Sequence, residues 1–137
     1  NGKRYKGGTT VEYPVTIETI PLFMRDTAIV PWGQVRQFSG DGPAGMLELK
    51  LPIVTGEKAA GRSASMELIW DDGETTAYRT GATARWSIEL AGGKLTITPL
   101  SSSGPAPGQV VITDVSGKEL ARLKDGLGFQ PVVIPLQ

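Results

Sequence analysis

The stretch Ala84-Arg85-Trp86-Ser87-Ile88-Glu89-Leu90-Ala91-Gly92-Gly93-Lys94-Leu95-Thr96-Ile97-Thr98-Pro99 decides the fold of this chain. Trp86, Ile88 and Leu90 alternate with Ser87 and Glu89, the period of two that puts one set of side chains on each face of a strand. Ala91-Gly92-Gly93-Lys94 is a hairpin loop, and Leu95 to Pro99 is the returning strand. Upstream, Met66, Leu68 and Trp70 share one face of another strand, with Glu67 and Ile69 on the other. That strand runs into Asp71-Asp72-Gly73-Glu74, a tight Asp-Gly turn, with Thr75-Thr76-Ala77-Tyr78 expected to return as its partner. Leu47, Leu49 and Leu51 alternate with Glu48 and Lys50, and residues 52–62 read as loop, with a helical turn at Glu57-Lys58-Ala59-Ala60. Downstream, Ser101 to Gly108 is a polar Ser/Pro/Gly loop, Val110 and Ile112 mark a strand, and Val115-Ser116-Gly117-Lys118 is a turn. Leu120 and Leu123 mark a short return, and Val132-Val133-Ile134 a last strand stopped by Pro135. About ten short strands at regular spacing, with no convincing helix, predict an all-β, antiparallel β-sandwich.

The densest apolar run lies elsewhere, at Ile20-Pro21-Leu22-Phe23-Met24-Arg25-Asp26-Thr27-Ala28-Ile29-Val30-Pro31-Trp32. Only Arg25, Asp26 and Thr27 interrupt it, so it reads as two short strands buried on both faces and meeting at a polar corner. Before it, Val11 and Tyr13 alternate and Pro14 closes the pattern; the basic, glycine-rich start from Asn1 to Gly8 is a turn with no strand ahead of it. After it, Gly33 to Phe38 alternates weakly, and Ser39 to Gly45 is the best candidate for a domain joint. The expected organisation is therefore the end of a proximal sandwich over 1–35, its opening strands lying outside this sequence, a linker over 36–42 and a distal sandwich over 43–137.

Composition narrows the chemistry. The 137 residues hold no Cys and no His, which removes disulfides, Cys-bearing zinc sites, thiol catalysis and Ser-His-Asp arrangements. Fourteen basic residues balance fourteen acidic ones, so no net field favours nucleic acid or an anionic membrane. No apolar run reaches the length of a membrane span, and no charged-then-apolar leader is present. A removed leader would leave no trace, so its absence does not exclude export; a soluble protein is expected, with its compartment left open, the periplasm and secretion included.

Three groupings invite a functional reading. Gly40-Asp41-Gly42-Pro43-Ala44-Gly45 matches the dinucleotide pattern of glycines, but a strand follows where that motif needs a helix, so it reads as a turn and no cofactor is expected. Asp71, Asp72 and Glu74 are adjacent at a turn, where side chains point apart; they lack both the facing geometry of catalytic carboxylates and the alternation of a calcium loop. Neither a catalytic residue nor a metal ligand is assigned. Among the aromatics, Trp70 and Trp86 sit in register with aliphatic neighbours and read as core. Trp32, between Pro31 and Gly33, is the residue expected to be exposed and able to stack on a sugar ring. Lys3, Arg4, Tyr5 and Lys6 read as a solvated basic end.

Two segments carry a family resemblance. Tyr5-Lys6-Gly7-Gly8-Thr9-Thr10-Val11-Glu12, followed by Ile20-Pro21-Leu22-Phe23-Met24-Arg25 and Ile29-Val30-Pro31, resembles the pattern Y-x-G-G-x-x-I-x-V … I-P-x-F-V-R-A-G-x-I-I-P. Leu68-Ile69-Trp70-Asp71-Asp72-Gly73-Glu74-Thr75-Thr76-Ala77-Tyr78 resembles a later E-D-D-G-E-T-x-A-Y turn. Both patterns, in this order, are those of the C-terminal β-sandwiches of family 31 glycoside hydrolases. Asp26-Thr27 departs from the usual Ala-Gly, and Trp70 from the acidic residue before the turn. The resemblance implies a parent enzyme that cleaves α-glucosidic or α-xylosidic bonds with two aspartates on a (β/α)8 barrel. None of that barrel is in this sequence, so the implied role is a non-catalytic accessory region that packs on the barrel and stabilises it. The alternatives are an independent carbohydrate-binding module using Trp32, and a subunit-interface domain.

Overall fold

The computed structural model describes residues 3–33, 35 and 45–136. The Asn1-Gly2 turn, the linker expected over 36–42 and most of the Gly40–Gly45 glycine pattern lie outside the described residues. Eight strands occur among those described: β1 (Val30–Gly33), β2 (Met46–Lys50), β3 (Ala64–Trp70), β4 (Ala84–Ala91), β5 (Lys94–Ser102), β6 (Gln109–Thr113), β7 (Glu119–Leu123) and β8 (Val132–Pro135). They form two four-stranded sheets, ordered β1-β2-β6-β7 and β3-β4-β5-β8. The chain is a β-sandwich.

In sheet two, β3, β4 and β5 form a meander, and β8 returns from the other sheet to pair with β5. β4 and β5 pair from Ala91↔Lys94 to Ala84↔Ser102 through Gly92-Gly93, both at positive φ, the backbone a two-residue hairpin turn needs. Trp86, Ile88 and Leu90, the inward set expected from the sequence, are buried, and so are Leu95 and Ile97 on the returning strand. Each such side chain contributes about 1.5–3 kcal/mol when removed from water. Across the core, Leu47 and Leu49 of β2 and Val110 and Ile112 of β6 face them. Trp86 also donates its indole N–H to the Gly128 carbonyl at 3.1 Å and stacks on Phe129, with centroids 5.8 Å apart. Trp70 packs partly buried against the same core.

Sheet one holds a pairing the periodicity does not reveal. β2 and β6 run parallel, from Met46↔Gln109 to Lys50↔Thr113, while the other pairs are antiparallel. The turn after β6 is fixed by Asp114, whose buried carboxylate accepts from Thr55 Oγ1 (2.6 Å), Ser116 Oγ (2.6 Å) and the backbone N–H of Ser116 (2.8 Å) and Lys118 (3.0 Å). Burial pushes this carboxyl upward, and those bonds more than reverse it, leaving it below the usual range.

Five expectations are corrected. The run from Ile20 to Trp32 is not a pair of buried strands: only Val30–Gly33 is strand, Ile29 alone enters the core, and Ile20, Leu22 and Phe23 are 81%, 70% and 63% exposed. An apolar run becomes strand only where a neighbour completes its ladder, and β1 gains one because β2 lies beside it. The Thr9–Tyr13 segment is likewise without strand. Thr75–Tyr78 is not a returning strand; a 3-10 turn at Ala77–Thr80 intervenes and β4 is the partner of β3. β5 continues to Ser102, with Pro99 tolerated because β8 pairs only with Lys94–Ile97 and the ladder to β4 shifts register at Arg85/Trp86. The expected turn at Glu57–Ala60 is a 3-10 turn at Ala59–Gly61.

Candidate functional surface

Residues 3–28 form a strap of extended chain and turns lying outside both sheets. Its internal brace is aromatic: the Phe23 ring meets Tyr5 at 5.8 Å and Tyr13 at 6.0 Å, both edge-on. Its apolar side chains point away from the sandwich core: Val15, Ile17, Ile20, Leu22 and Phe23 are all exposed. Soluble surfaces seldom carry so many large apolar side chains in one run, and such patches mark places where another surface sits.

The strap is tied to the sandwich by charge. The Arg4 guanidinium donates to both Glu57 oxygens, at 3.0 and 2.7 Å, to the Pro52 carbonyl at 3.3 Å, and to Asp26. Arg62 donates to Glu57 Oε1 at 2.8 Å and lies 3.7 Å from Asp26 Oδ2. The loop holds Glu57 through the Val54 N–H, 3.0 Å from Oε2. Arg4 above all, then Val54 and Arg62, draw the Glu57 carboxyl down to about 2 against the opposing effect of burial. Of the basic end read from the sequence as solvated, Arg4 thus has partners while Lys3 and Lys6 stay exposed, and Asp26, the departure from the family pattern, completes the cluster. The signal available in advance was that single acidic residue at an Ala position.

Trp32 lies on edge strand β1, 40% exposed, with the Lys50 ammonium 5.6 Å from its ring centroid. Opposite it on β2 is Glu48, which accepts from Lys50 at 2.6 Å and from Thr113 Oγ1 at 2.6 Å. Burial raises the Glu48 carboxyl and these two donors outweigh it, so it titrates below the ordinary range.

The Asp71 and Asp72 carboxylates serve their own loop. Asp71 Oδ1 accepts from the Gly73 N–H at 2.9 Å; Asp72 accepts from Glu74 N at 3.1 Å, Thr75 N at 3.0 Å and Thr75 Oγ1 at 2.6 Å. These are the self-capping bonds of an Asx turn, not a pair facing a shared substrate. Two shallow hollows of about 230 Å³ each, one over β2, β6 and β7 and one beside the 53–58 loop, fall below the usual ligand-pocket size. Among the described residues no group of acidic side chains is arranged to hold a metal ion, and no helix is long and apolar enough to cross a membrane.

No family model matches the chain. It is 37% identical over 78 residues to neutral alpha-glucosidase C of Mus musculus, and 37% identical over 83 residues to neutral alpha-glucosidase AB of Sus scrofa. These matches cover 54% and 58% of this chain, which spans only 8% of either relative. Among solved structures, the crystal structure of the GH31 alpha-xylosidase from Xanthomonas citri superposes with a TM-score of 0.74 at 26% identity, over 99% of this chain and 16% of that one. Fold over nearly the whole chain is therefore similar to part of a GH31 alpha-xylosidase, and sequence over about half of it to part of neutral alpha-glucosidases.

Proposed function

We propose that this chain is a non-catalytic C-terminal accessory region of a retaining α-glycosidase, which packs on a (β/α)8 catalytic barrel and stabilises it. The observation that carries the reading is the strap, whose Ile17, Ile20, Leu22 and Phe23 are held outward on a folded sandwich. An apolar strip of this kind is covered in the working protein, and a catalytic domain is the cover the small share of each relative points to. In this reading residues 1–35 close a proximal unit and residues 43–137 are the distal one, with β1 as the seam between them. Co-expressed with the parent barrel, the chain should co-purify with it and raise its melting temperature. Leu22→Asp with Phe23→Asp should abolish both effects while the sandwich stays folded; a barrel equally stable and unaccompanied would refute the proposal. Alone, the chain should release no more nitrophenol from p-nitrophenyl α-glucoside or α-xyloside than buffer does.

A second reading, carbohydrate contact at Trp32, is favoured by the ring's exposure beside Lys50 and Glu48. Calorimetric titration with α-glucan and xyloglucan oligosaccharides tests it, and binding that survives Trp32→Ala, or no heat at all, rejects that residue as the platform. A third, subunit contact through the same strip, predicts self-association in sedimentation that Leu22→Asp removes.

A further inference from the structure

We propose that the four charges of Arg4, Asp26, Glu57 and Arg62 form a latch that fixes the orientation of the whole strap, and hence of its apolar strip, against the sandwich. The inference holds whatever covers the strip, so its failure leaves the packing proposal untouched.

Among the described residues, every hydrogen bond and ion pair from residues 3–28 to the sandwich runs through Arg4 or Asp26. The strap's other bonds are internal: Thr9 to Lys6, Thr16 to Thr19, Ala28 to Arg25. Most of its apolar side chains are exposed; Tyr5, Met24 and Ala28 are half-buried, but none belongs to the core or packs against it, and its far end is attached through Ile29 and β1. A braced segment joined at one end would swing about that end unless its other end is held. Arg4 and Asp26 lie 22 positions apart and meet beside one carboxylate, so the cluster closes the strap into a loop and removes that swing.

The receiving side is rigid. Glu57 is fixed by the Val54 N–H and by Arg62, within a loop whose Ile53 and Ala59 are buried in the core. The guanidinium of Arg4 grips both Glu57 oxygens, a two-point contact that fixes direction as well as distance, which a lysine ammonium would not. Two positive and two negative groups alternate, so each guanidinium has a carboxylate on either side. Without Asp26 both guanidinia would crowd a single carboxylate, and the loop would have one tie instead of two.

The chain has no cysteine, so paired spin labels at Ile17→Cys and Glu89→Cys report the strap-to-sandwich distance without competing sites. The unaltered cluster should give a single narrow distance distribution. Glu57→Gln, Arg4→Gln and Arg4→Lys should each broaden it, by about twofold or more, and Asp26→Ala less. High salt should broaden it too, because the members are partly exposed. Should Glu57→Gln unfold the sandwich, Arg4→Gln decides alone, since Arg4 contributes nothing to the core. A distribution that keeps its mean and width in Arg4→Gln and Arg4→Lys overturns the latch.

Discussion

A buried carboxylate is stabilising only where hydrogen bonds replace its water, and Asp114 has four of them in a turn that joins β6, β7 and the Thr55 loop. Asp114→Ala should therefore cost about 2–3 kcal/mol, read from urea denaturation at neutral pH, because the Thr55 and Ser116 hydroxyls and two backbone N–H groups lose their acceptor together. The same residue and Glu57 set the acid behaviour. Both titrate lower in the folded chain than unfolded, so the stability they contribute is complete above their unfolded values and is lost as pH falls through the folded ones. For Glu57 that window runs from its ordinary 4.5 down to about 2. Stability measured against pH should fall across this window, and Glu57→Gln should flatten the fall; an identical acid limb in the variant would contradict the role of Arg4 and Arg62 there.

At the scale of elements, the loop between β7 and β8 shows how one glycine positions a core residue. Gly126 has φ +71, and a Cβ there would stand 1.8 Å from the Pro107 carbonyl oxygen. The close approach lets Leu127 donate its N–H to that oxygen at 3.2 Å and bury its side chain. Gly126→Ala should lower the melting temperature markedly, whereas Gly128→Ala, with open space around it, should change it little. The elements that were legible in the sequence are those whose signal is local. Trp86-x-Ile88-x-Leu90, Gly92-Gly93 and Leu95-x-Ile97 each carry their own period or turn chemistry, and all stand where expected. Thr75–Tyr78 misled because β-branched and aromatic residues favour strands, while Asp72 captures both the N–H and the hydroxyl of Thr75 and turns the chain instead. Ile20–Phe23 misled for a different reason: apolar density reports that a cover is needed, not that this chain provides it. The Arg4 cluster was out of reach because Arg4, Asp26 and Glu57 are brought together only by the fold.

On the scale of the whole molecule, the parallel pairing of β2 with β6 has a consequence in time. The β3–β4–β5 meander closes through local connections, but β2 finds its neighbour some sixty positions further along, after that meander has been made. Pairing that spans such a length pays its loop entropy before any ladder bond returns it, so sheet two should be ordered in the folding transition state and sheet one should dock late. Ile88→Val and Ile97→Val should accordingly slow refolding, whereas Leu49→Ala and Ile112→Val should act mainly on the unfolding rate. Stopped-flow chevrons of these four variants distinguish the two orders. Late docking of sheet one also means that β1, and the strap leading into it, are the last parts of this chain to acquire a place. In the proposed packing the apolar strip is finished only when the sandwich is, so docking on a catalytic domain would follow, and report, completed folding.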